Sequence, residues 1–132
     1  MKKILLSIKP CYVAEILAGR KTVEYRKRIP QDDTVRQVLI YSSHPVKRVV
    51  AEFTLGDFLS GPSEWLWGQT SEIGGITKGV FDQYFEGKEI AYAYQIENLL
   101  VFEHPRPLGE YGLEKGPQDF CYVEESDQGT VL

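Results

Sequence analysis

Five charged residues crowd one short stretch of this 132-residue chain: Lys21, Glu24, Arg26, Lys27 and Arg28. If residues 22 to 26 are regular strand, the period of two puts Thr22, Glu24 and Arg26 on one face. Lys21 then sits at the preceding turn and can fold to either side. Such a set offers a cation for phosphate, a carboxylate that can take a proton or a base amino group, and a fork-shaped guanidinium. The competing reading is a solvated cross-strand ladder of ion pairs, each contributing about 0.2–1 kcal/mol.

A second polar point is Ser42-Ser43-His44-Pro45. His44 could act as an acid or base. Equally, Ser, His and Pro in a row describe a turn whose hydroxyls bond their own backbone. Trp65 and Trp67 could stack on nucleobases, although positions i and i+2 of a short helix point apart and at least one belongs in a core. Gly74-Gly75 lacks the strand, glycine signature and helix of a dinucleotide site. Cys11 and Cys121 are far apart in sequence, and His44 and His104 have no ligand spacing. We therefore expect two reduced, buried cysteines and neither metal nor cofactor.

The elements that must position these residues follow from pattern. Lys3 to Ile8 is apolar and reads as a buried first strand. Pro10 suits the first position of a helix, Tyr12, Val13, Ile16 and Leu17 recur at helical spacing, and Gly19 can close it in a left-handed conformation. Strands are expected at Thr22–Arg26, Gln37–Tyr41 and Val46–Leu55, with Val49, Ala51, Phe53 and Leu55 on one face. Pro62 to Trp67 reads as a short helix. Thr77 can cap another, with Val80, Phe81, Tyr84 and Phe85 as its stripe and Gly87 at its end. A long strand from Glu89 to Phe102 has room for a bulge at Asn98. Gln118–Val123 is the last strand, and Glu124–Leu132 an acidic, flexible tail. The expected fold is α+β and mainly β: a small, partly closed barrel of about six strands, with helices inserted after the first and fourth.

Composition narrows the function. No apolar run approaches the roughly 20 residues of a membrane-spanning helix, and the apolar start is broken by Lys9-Pro10, too soon for an export signal. A cytoplasmic location is expected. The formal charge of −4 hides an asymmetry: residues 1–50 carry 11 Lys/Arg against 4 Asp/Glu, and residues 51–132 carry 4 against 15. Such a distribution gives an acidic protein an anion-attracting face, unless the halves neutralise each other across a sheet.

These motifs carry a resemblance. Ile8-Lys9-Pro10, the run Ile16-Leu17-Ala18-Gly19-Arg20-Lys21-Thr22-Val23-Glu24-Tyr25-Arg26, then Ile40 to Val46, Leu66-Trp67, Gly75-Ile76-Thr77 and Pro117-Gln118-Asp119-Phe120 resemble, in order, the ASCH domain family. The resemblance runs from about residue 3 to 123, and implies a single PUA-like domain over residues 1–123 with a cleft near the first helix. It also implies RNA or a nucleoside- or nucleotide-like ligand as partner, in a cleft lined by Lys9, Lys21, Glu24, Arg26 and Ser43. Family members include enzymes, so the alternative is a hydrolase, either on a modified nucleoside such as N4-acetylcytidine or on RNA itself. In the amidohydrolase, a lysine works with a threonine three residues later and a glutamate before the second helix. Here Lys21 matches, Glu24 stands in the threonine position, and the glutamate position falls near Gly74, with Glu72 the closest carboxylate. An enzyme would therefore depend on Lys21 and on Glu24 as a base for water. A protein-interaction module is a third reading.

Overall fold

The computed structural model describes residues 1–125. Its elements are β1 (Lys2–Ile8), α1 (Pro10–Leu17), β2 (Val23–Arg26), β3 (Gln37–Ser42), β4 (Arg48–Gly61), α2 (Ser63–Thr70), α3 (Lys78–Phe85), β5 (Ala91–Arg106), a 3-10 turn (Leu108–Tyr111) and β6 (Phe120–Glu124). All six strands belong to one sheet in the order β2-β5-β4-β3-β1-β6, with β1 parallel to β3 and every other pairing antiparallel. The expected strands and the two helix insertions are present. The sheet is mixed and does not close: β2 and β6 are its edges, and no ladder joins them among the described residues.

The Ile4–Leu6 run of β1 is apolar without alternation because both faces of the strand are covered there. Ile4, Leu6 and Ile8 pack with Val13 and Ile16 of α1, while Leu5 packs with Leu39, Tyr41, Val49 and Leu108 on the other side. This is the two-sided burial that abolishes alternation in a central strand. The same register explains where Val49 goes. One extra residue of β4 lies between the pairs Tyr41↔Val49 and Ile40↔Ala51, so Val49 turns away from the face that Ala51, Phe53 and Leu55 share. Asn98, at φ 50°, bulges β5: Glu52 and Thr54 of β4 oppose Leu100 and Glu97, three positions apart on β5. Both long strands run past their expected ends, β4 to Gly61 and β5 to Arg106.

α1 begins with Pro10 in its first turn and is followed by Gly19 at φ 81°. α3 is capped by the Thr77 hydroxyl, which accepts from the Val80 N–H at 3.3 Å. A separate apolar cluster forms where α2 and α3 cover one end of the sheet, with Val23 and Tyr25 of β2 packed on Leu66, Phe81 and Phe85.

Some expectations are corrected in detail. Cys11 is exposed, not buried, and Cys121 is half-buried; both are free thiols. Thr22 lies outside β2 and is exposed; its N–H donates to the Ile73 carbonyl and its own carbonyl accepts from the Ile96 N–H, ahead of the ladder. Glu124 ends β6, and the Glu125 N–H donates to the Met1 carbonyl, so the chain is still paired there. The rest of the expected tail, 126–132, lies outside the described residues. Among those described, no helix is long and apolar enough to cross a membrane.

Backbone and core can each be probed by one substitution. Nothing crowds a side chain built at Gly19, so Gly19→Val tests its left-handed backbone alone. We expect it to cost about 1–2 kcal/mol in urea unfolding; an unchanged midpoint would mean that the helix end tolerates another conformation. Tyr94 is fully buried and its hydroxyl donates to the Arg28 carbonyl at 2.8 Å. Burial holds that hydroxyl protonated far above its ordinary value of 10, whereas the unfolded tyrosine ionises near 10. Its contribution is thus complete below pH 10 and is lost as pH rises beyond it. Tyr94→Phe should cost about 1 kcal/mol at pH 7 and flatten the fall in stability on the alkaline side, measured by urea titrations at stepped pH.

Candidate nucleic-acid interface

The alternation of β2 sends Val23 and Tyr25 into the cluster under α2 and α3 and Glu24 and Arg26 to the opposite face. That face is not solvated. Glu24 is 5% exposed, Arg26 8%, and Lys21, just before the strand, 2%. Charges so placed must be paired, since an isolated buried ion costs several kcal/mol. Here they are. The Lys21 ammonium lies 3.3 Å from Glu24 Oε1 and donates to the Gly74 carbonyl at 2.6 Å. The Arg26 Nε and Nη2 both donate to Glu24 Oε2, at 3.1 and 2.7 Å. The rest of its guanidinium reaches the Ser7 carbonyl and Asp119 Oδ1, the latter at 2.8 Å. Arg28 holds the other Asp119 oxygen at 2.9 Å.

Two glycines make Lys21 possible. A Cβ at Gly74 would lie 2.0 Å from the Tyr25 hydroxyl, and one at Gly75 would lie 2.9 Å from the Lys21 Cβ. Gly75 also has φ 68°. Only a bare backbone passes this close over the start of β2 and still presents its carbonyl to the lysine.

These groups form the floor of a cleft of about 890 Å³. Lys9, Lys21, Glu24, Arg26 and Ser43 all line it, brought together from the start of α1, from β2 and its preceding turn, and from the end of β3. His44 does not; it is exposed on the far side of Ser43. Glu72 is exposed and outside the cleft, and the place expected for a carboxylate is taken by the Gly74 carbonyl instead. Trp65 is 46% exposed, while Trp67 packs against the α2–α3 cluster, so neither tryptophan lines the cleft.

Sequence reasoning misses three members. Tyr12 and Tyr84 belong by spacing to apolar helix stripes, yet both line the cleft, and Asp119 of the Pro117-Gln118-Asp119-Phe120 motif anchors its arginines. A tyrosine in a stripe has an apolar body and a polar tip, and only the fold decides where the tip emerges. Gly74-Gly75 does carry a signal, but for close backbone packing rather than phosphate binding.

In total the cleft holds the cations Lys9, Lys21, Arg26, Lys27 and Arg28 against the carboxylates Glu24 and Asp119. Lys9 and Lys27 are exposed; the Lys27 ammonium lies 4.6 Å from the centre of the Tyr84 ring. Burial pushes the Lys21 ammonium below its ordinary value, against the pull of Glu24. Burial likewise pushes the Tyr12 and Tyr84 hydroxyls up, leaving both as neutral donors. Among the described residues, no His, Cys, Asp and Glu side chains gather into a metal-ligating group.

An open, PUA-like mixed sheet with a cation-lined cleft at the end of its first helix is the class that fold and cleft define. Within it, the ASCH domain model matches residues 6–103, and the chain belongs to the ASCH domain family. It is 31% identical, over 74% of its length and 66% of the relative's, to a protein named ASCH domain-containing ribonuclease from Zymomonas mobilis. It is 35% identical to a protein named large ribosomal subunit protein uL22 from Ureaplasma parvum, over 79% of this chain but only 33% of that one. The chain thus spans about a third of that relative's length. Among solved structures, the crystal structure of ASCH from Zymomonas mobilis superposes with a TM-score of 0.84 at 25% identity, covering 93% of this chain and 88% of that one. A mutant of the same protein superposes at 0.85, with 24% identity, over 98% and 93%.

The buried network gives a direct prediction. Glu24→Ala leaves Lys21 and Arg26 enclosed without their shared carboxylate, and should destabilise the protein by about 3–5 kcal/mol. Replacing the exposed Glu64, whose partner Lys78 keeps a second carboxylate in Asp82, should cost less than about 1 kcal/mol. Chemical denaturation of both variants at low salt checks the contrast; equal costs would mean that water reaches the Glu24 cluster.

Proposed function

We propose that this chain binds single-stranded RNA, or a nucleotide-like piece of it, in the cleft above Lys21, Glu24 and Arg26. The observation that carries this reading is the division of labour among the cations. Arg26 and Arg28 are held by carboxylates, whereas Lys9 and Lys27 at the opening have none among the described residues. Exposed cations that no carboxylate answers are available to neutralise phosphates. Tyr12 and Tyr84 add aromatic surface beside the Lys21 and Lys27 ammonium groups, a contact for a base that tolerates sequence because every base has a π-face. The buried floor supplies fixed charge: the engaged Glu24 carboxylate and the Lys21 ammonium can meet the polar edge of a base without reorganising. Kinship with a protein named as a ribonuclease supports RNA as the class of ligand.

That same relative favours one second reading, in which bound RNA is cleaved. Cleavage by the neighbouring 2′-hydroxyl needs an acceptor for its proton, a donor for the departing 5′-oxygen and cations for the charge on phosphorus. Lys21, with its lowered proton affinity, and Glu24 are the candidates for proton transfer, and Arg26 is fixed for the charge.

The binding reading is tested by fluorescence anisotropy with labelled single-stranded RNA at low salt. The double variant Lys9→Ala/Lys27→Ala should weaken binding about tenfold and lower the salt slope by about 0.7 for each phosphate no longer neutralised. Lys88→Ala, an exposed lysine outside the cleft, should change neither. Equal effects from the two would remove the cleft from the reading. Gel electrophoresis of the same RNA separates binding from turnover: intact RNA with wild-type protein supports binding alone. Cleavage by wild type that falls by about 10²–10⁴ in Glu24→Gln, with binding retained, would establish the second reading.

A further inference from the structure

The main cleft has a neighbour of about 490 Å³, lying between the β3–β4 turn and residues 107–117. The two meet along a saddle, since Ser7, Ser43 and Pro117 line both. That saddle is rigid: the Ser7 hydroxyl donates to the Pro117 carbonyl at 2.6 Å, and the Ser43 N–H donates to the Ile8 carbonyl at 3.0 Å. Beyond it, Lys47, Arg48 and Lys115 face the single carboxylate Glu114.

The distribution of cations over the whole molecule singles out these two clefts. Most lysines and arginines are held by a carboxylate. Among the described residues, the ones that are not comprise Arg36, which donates to the carbonyls of Leu55 and Gly56, the remote Lys88, and five others. Those five are Lys9 and Lys27 in the main cleft, the latter over the Tyr84 ring, and Lys47, Arg48 and Lys115 in its neighbour, where Arg48 Nη1 also donates to the Lys47 carbonyl at 2.9 Å. Lys115 comes from the acidic half of the sequence, yet the fold delivers it here. Lys47 is also held at φ 54°, a left-handed conformation that a lysine adopts at a cost.

From this we infer that the neighbouring cleft is a second subsite for the same strand, holding the sugar-phosphate of nucleotides adjacent to the one in the main cleft. The inference rests on the reading that the main cleft takes RNA. The path runs over Ser43 and Ser7, whose short side chains leave room for a backbone to cross, and Lys47, Arg48 and Lys115 neutralise phosphates on the far side. Leu108 and Leu113 give the wall apolar surface for a sugar or base.

Length dependence tests it. Wild-type protein is titrated with a 5′-nucleoside monophosphate and with single-stranded RNA oligomers of increasing length, alongside the variant Lys47→Gly/Lys115→Ala. Glycine accepts the left-handed backbone at residue 47 without strain, so the melting temperature should be unchanged or higher. The expected result is that oligomers bind wild type more tightly than the monophosphate does. In the variant the monophosphate keeps its affinity, while oligomers lose about tenfold and the salt slope falls. Oligomers that bind wild type no more tightly than the monophosphate would overturn the second subsite and leave the main cleft standing. A variant that weakens both ligands equally would overturn it too, by showing a general field rather than a local contact. Binding of neither ligand to wild type would sink the main-cleft reading, and this inference with it.

Discussion

The carboxylate of Glu24 is the group on which the geometry of this protein turns. Three charged side chains, each less than a tenth exposed, meet there, and none could be buried without the others. Lys21 comes from the turn after α1, Glu24 and Arg26 from an edge strand, and Asp119 from the approach to the opposite edge. The cost of desolvating them is offset only while these three segments keep their relative positions, because a buried pair missing one partner is worse than no pair at all. The ion cluster is thus a constraint on the fold more than a source of stability. Among the described residues no ladder joins the two edges of the sheet, and Arg26 spans between them, reaching from β2 to the Ser7 carbonyl on β1 and to Asp119.

This arrangement sorts the charges of the cleft into two populations. Below are charges that the protein itself has answered, carboxylate to ammonium and guanidinium. Above and beside them are ammonium groups left to solvent, on Lys9 and Lys27 and, past the saddle, on Lys47 and Lys115. The first population is fixed by ion pairs and hydrogen bonds; the second is exposed, with no carboxylate partner among the described residues. An acidic overall charge and a cation-lined cleft are compatible for this reason. The acidic residues of the second half neutralise particular cations, as Glu52 does Lys3 and Asp119 does Arg26 and Arg28, and leave others bare.

Much of the fold is legible in the sequence because it rests on local rules. Pro10 and Gly19 bracket α1, Thr77 caps α3, the apolar run of β1 announces burial on both faces, and Asn98 sits at the bulge of β5. What is not legible is set by pairs remote in sequence. The reach of β4 to Gly61 and of β5 to Arg106 depends on each having the other as partner. Val49 faces away from Ala51 because of one inserted residue, which no alternation pattern can reveal. The charged cluster of residues 21–28 is visible as chemistry, but its burial is not: a ladder on a solvated face and an enclosed network have the same sequence. The difference lies in Gly74, Gly75 and Asp119, all of them remote from β2 along the chain.

That separation bears on how Lys21 is held. Lys21 has two partners of different kinds, a carboxylate on the strand that follows it and a backbone carbonyl in the α2–α3 connection. The carbonyl keeps an acceptor on the ammonium that no proton can neutralise, while burial weakens the ammonium's hold on its own proton. The lysine is therefore fixed in position by one partner and tuned in charge by its surroundings. Tyr25 links the two sides of this device: its ring packs on Phe81 at 4.9 Å between centroids, its hydroxyl is hydrogen-bonded to the Thr70 hydroxyl at 2.6 Å, and the Gly74 backbone lies directly against it. The loop that supplies the carbonyl is thus seated on the same aromatic cluster that anchors β2. Packing in the helix-covered core and the placement of the cleft's most enclosed cation are consequently one problem, solved by a tyrosine and two glycines.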